Sequence, residues 1–74
     1  MTETDKKQLL SVYDVVFEHL TVAVDHMEGI GYHVDNGDIE VTDLDRGIMK
    51  SIHDDMVSAQ NLLLMYTKEL KNRK

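Results

Sequence analysis

The chain has 74 residues, with 14 acidic and 8 basic side chains for a net charge of −6, four histidines, and neither cysteine nor proline. That length holds one domain, spanning 1–74, and the lack of cysteine excludes disulfides and thiolate zinc sites. The acidic balance opposes direct binding to nucleic-acid phosphates or anionic membranes, while 42% apolar residues predict a packed core rather than disorder.

No apolar run approaches the roughly 20 residues that cross a bilayer. The first residues, Met1-Thr2-Glu3-Thr4-Asp5, lack the basic-then-apolar layout of a secretion signal. A cytoplasmic, soluble protein is therefore expected. A core this small leaves about 3–5 kcal/mol of net stability, so oligomerisation is the expected source of the remainder.

In chain order, the first element is a helix over about 5–30. Leu9, Tyr13, Val16, Leu20, Ala23, Met27 and Ile30 recur at alternating steps of four and three, one face of a helix. Thr2 or Thr4 can cap its start, and Gly29 or Gly31 offers a left-handed stop. Next, Asn36-Gly37 sits between alternating residues over 32–41, which reads as a short β-hairpin or an irregular loop. A second helix follows over 43–72, with Met49, Ile52, Met56, Ala59, Leu63, Tyr66 and Leu70 on one face. Thr42-x-x-Asp45 marks its start, and Lys71, Arg73 and Lys74 suit its negative dipole end. The predicted fold is all-α: an antiparallel helical hairpin.

The first helix is more apolar than one neighbour can cover. Leu10, Phe17 and Val24 flank its main stripe on one side, and Val12, Val15 and Val22 flank it on the other. These six residues are the expected face for a second copy, giving a homodimeric four-helix bundle, or for a foreign protein. Charge is also uneven. Residues 14–55 hold eleven acids against two bases, and a hairpin gathers many of these acids at its loop end. Asp35, Asp38, Glu40, Asp43 and Asp45 are the candidate contacts for a partner with a basic surface.

The chemistry-bearing residues offer less. An EF-hand alignment places Asn36, Gly37, Ile39 and Asp43 suitably, but Tyr32 and Val34 occupy the first and third ligand positions, so no calcium site is expected. His19 and His26 lie roughly 10.5 Å apart along one helix, too far to share an ion. If the hairpin brings His19 level with His53, beside Asp54, those three form the one candidate metal site. Ser11, Ser51 and Ser58 sit within predicted helices with no nucleophile elbow or phosphate loop around them. The sequence thus predicts a non-enzymatic, cofactor-free interaction module. It reads as a small acidic regulator or inhibitor of another protein, of the bacterial or phage accessory type. The alternatives are an acidic mimic of nucleic acid and a histidine–carboxylate metal binder.

Overall fold

The computed structural model describes residues 1–73, so Lys74 lies outside the described residues. Two helices account for nearly all of it, α1 over Glu3–Asp35 and α2 over Asp43–Asn72. Thr2 caps α1 from an extended backbone, its Oγ1 accepting the Asp5 N–H at 3.1 Å. At the head of α2 the cap is reciprocal. Thr42 Oγ1 accepts the Asp45 N–H at 3.1 Å, and Asp45 Oδ2 accepts the Thr42 N–H at 3.1 Å. Two of the four orphan donors of that first turn are thereby satisfied, as the Thr42-x-x-Asp45 spacing predicts.

The end of α1 corrects two expectations. Neither Gly29 nor Gly31 stops the helix, and no strand forms over 32–41 among the described residues. Instead α1 runs on to Asp35, and Asn36-Gly37 terminates it. Gly37 takes a φ of 81°, the Asp38 N–H donates to the His33 carbonyl at 2.9 Å, and the Gly37 N–H donates to the Val34 carbonyl at 3.1 Å. These paired bonds are a Schellman cap, which needs the same left-handed glycine as a hairpin turn. Val34 decides between them. Three residues beyond Gly31 it rejoins the face that meets α2, where it is only 4% exposed. Burying a valine is worth about 1.5–3 kcal/mol, against roughly 1 kcal/mol for each helical glycine, whereas an isolated hairpin is marginal in water.

The helices pack antiparallel in a register marked by three polar contacts. Gln60 Nε2 donates to Thr21 Oγ1 at 3.1 Å, His53 Nε2 meets Glu28 Oε1 at 3.1 Å, and Arg46 Nη1 meets Asp35 Oδ1 at 3.4 Å. In each pair, residue n of α1 stands level with residue 81 − n of α2. Toward the termini, the rings of Tyr13 and Tyr66 meet edge-on with centroids 5.4 Å apart. The result is a rod of 52 × 16 × 13 Å with a radius of gyration of 16.6 Å. A compact chain of this length would have a radius of about 11 Å. Among the described residues only Val24, Val34 and Leu70 are buried, at 7%, 4% and 0% exposure.

Candidate interaction face

The shortage of buried side chains is matched by apolar surface left outside. On α1, Val12, Val15, Val16, Val22 and Ile30 are exposed. At 100° per residue they share an arc of about 120°, displaced by about 100° from the seam that faces α2. On α2, Leu44, Ile48, Ile52, Leu62 and Tyr66 are exposed, Leu44 by 73% and Leu62 by 66%. They share an arc of about 80°, displaced from the seam by a similar angle and in the same rotational sense. Two antiparallel helices are related by a two-fold axis across the seam, so equal displacements in one sense bring both strips to one side of the rod. The polar contacts of Thr21, Glu28 and Asp35 with Gln60, His53 and Arg46 occupy the other side. The hairpin therefore gathers most of its exposed apolar side chains on one side, where His19, His26 and Asp55 interrupt the strips, and its cross-helix hydrogen bonds on the other; Tyr32, Leu64 and Met65 are exposed outside the strips.

The structure divides the six residues expected to form the partner face of α1. Val12, Val15 and Val22 lie on the exposed apolar side. Leu10 and Phe17 are half-buried and Val24 is buried, because that flank turns toward α2. The contribution of α2 is larger than its main stripe implies. Ile52, on the main stripe of α2, is exposed and belongs to the outer strip together with Leu44, Ile48 and Leu62, while Tyr66 lies at the edge between strip and seam, 39% exposed yet with its ring against Tyr13 of α1. The steps of four in Leu44-Ile48-Ile52 and Leu62-Tyr66 are the signal for that strip.

The histidine site is also corrected. In the observed register His19 stands level with Leu62, nine residues or roughly 13.5 Å along the axis from the level of His53. The longer α1 moves the turn and with it every pairing. His53 instead sits between two carboxylates, Nε2 at 3.1 Å from Glu28 Oε1 and Nδ1 at 3.5 Å from Asp54 Oδ1. The hydrogen bond to Glu28 raises its pKa above the usual 6.5, partly opposed by burial and helped by Asp54. Both ring nitrogens thus face carboxylates, which favour the protonated form of the ring. Asp54 is held below the usual carboxylate range, first by the Lys50 ammonium at 2.8 Å and then by His53. No group of three or more histidine or acidic side chains among the described residues is arranged to hold an ion.

At the loop end, three of the five candidate carboxylates have local work. Asp35 meets Arg46, Asp38 Oδ2 lies 3.0 Å from His33 Nδ1, and Asp45 closes the cap of α2. Glu40 and Asp43 form no ion pair among the described residues and are exposed. No helix among those residues is long and apolar enough to cross a membrane. Comparison with protein-family models, with curated proteins and with solved structures found no match.

Proposed function

We propose that this chain is a non-enzymatic protein–protein interaction module, a helical hairpin that completes its core by pairing with a second copy and acts on another protein as a small regulator. The observation that carries this reading is the uncovered apolar side built jointly by α1 and α2. Leaving Leu44, Leu62 and Val22 in water forfeits burial worth about 1.5–3 kcal/mol per side chain, a large fraction of what a chain of this size has to hold it together. Pairing recovers it. The loop ends then stay outside the bundle, where Glu40 and Asp43 are free to meet a basic surface on the regulated protein.

Self-association couples folding to concentration, because only the folded chain dimerises. Raising the protein concentration about a hundredfold is expected to raise the melting temperature by several degrees. Val22→Glu places a charge on the apolar side and is expected to remove that dependence. A melting temperature indifferent to concentration in the unaltered protein would contradict the proposal. An acidic mimic of nucleic acid rests on charge alone and is separated by competition: nucleic acid would displace it from its basic partner, and Val22→Glu, which breaks self-association, would leave that binding intact.

A further inference from the structure

We propose that the two copies stack apolar side on apolar side with their loop ends at opposite ends of the bundle, an orientation that rests on the self-association proposed above. Area is sufficient for a stable interface, and self-complementarity then favours a second copy as the occupant. The chain exposes 5729 Å², whereas a compact monomer of its 8.5 kDa mass exposes about 4,700 Å². The excess, on the order of 1,000 Å², matches the roughly 800 Å² that each partner contributes to a standard stable interface. A two-fold interface must also be complementary to itself. The apolar side meets that condition, since between Val12 and Ile30 and between Leu44 and Tyr66 the strips carry no lysine or arginine; His19 and His26 interrupt the α1 strip, and Asp55 is the one acid on the α2 strip. Asp14, Glu18 and Asp25 lie on the other side of α1, which would repel its own copy.

Charge then chooses the orientation. Cutting the rod at the level of Leu20 and Asn61 leaves nine acids against two bases in the loop half, residues 21–60, and five against five in the described terminal half. Stacking loop end on loop end would lay two halves of net −7 about 10 Å apart, the usual spacing of packed helices and about one Debye length in 0.1 M salt. Reversing one copy lays each −7 half on a neutral one.

The chain has no cysteine, so Asn36→Cys gives one spin-label site per copy, at the exposed end of α1. Double electron–electron resonance on the labelled full chain is expected to show a distance near the 52 Å length of the rod. A distance below about 20 Å, with the mass of a dimer, would overturn the orientation while leaving self-association intact, since side-by-side loop ends lie within two helix diameters. An absence of dipolar modulation, with the mass of a monomer, would overturn self-association and the orientation with it. Lys7→Cys, toward the far end of the rod, repeats the measurement without altering the cap, and its expected distance is about 40 Å, again well beyond that of side-by-side ends.

Discussion

Glycine 37 and histidine 53 show how single side chains set the fold's ends and its pH response. Gly37 holds a φ of 81° that an L-residue adopts at a cost of about 1–2 kcal/mol, so Gly37→Ala is expected to destabilise by about that much. Gly29 and Gly31 are helical, and an added Cβ at either meets nothing within 4 Å. Gly29→Ala and Gly31→Ala should each stabilise by about 0.5–1 kcal/mol, and thermal melts of the three variants check the opposite signs. His53 titrates above its unfolded value because Glu28 favours its charged form. Its contribution to stability is therefore complete below pH 6.5 and is lost as pH rises through the raised folded value. The melting temperature should fall over that window, and His53→Gln should lack the fall. Legibility at this scale followed sequence distance. The Thr42–Asp45 cap is visible because both partners lie within one turn, whereas Glu28–His53 depends on a register that no local pattern carries.

The two helices differ in how plainly their ends are written. For α2 the cap and the final periodic residue fix both limits, and the predicted 43–72 matches Asp43–Asn72. For α1 the predicted end at about 30 falls short of Asp35, because glycine is a local stop signal that a tertiary contact overrides. Five further helical residues move the turn and shift the register. His19 was thus wrongly expected to meet His53, and Leu44, Ile48 and Leu62 were missed as an outer strip. Asn36-Gly37 was read correctly as a reversal of the chain, but its left-handed glycine closes a helix rather than a hairpin. The elements should respond unequally to truncation of their contacts. Thr42→Ala removes one cap bond and is expected to cost about 1 kcal/mol. Leu70→Ala empties the one fully covered position and is expected to cost about 2–5 kcal/mol, enough to unfold the chain at low concentration, as circular dichroism would show.

As a whole molecule the hairpin is a rod with two unlike sides, and that asymmetry is the basis of the functional reading. The surplus apolar surface of α1 was legible in its valines, since Val12, Val15 and Val22 interrupt what a lone hairpin would leave polar. That α2 adds a second strip on the same side was not legible, because it follows from the antiparallel register and the handedness of both helices together. The strips support the proposal that the chain is half of a four-helix bundle whose other half is a second copy. Sedimentation equilibrium across a dilution series tests it most directly. The expected result is a mass of twice 8.5 kDa that declines toward 8.5 kDa only on strong dilution, with loss of helix in step. A helical chain that stays at 8.5 kDa at every concentration would contradict it.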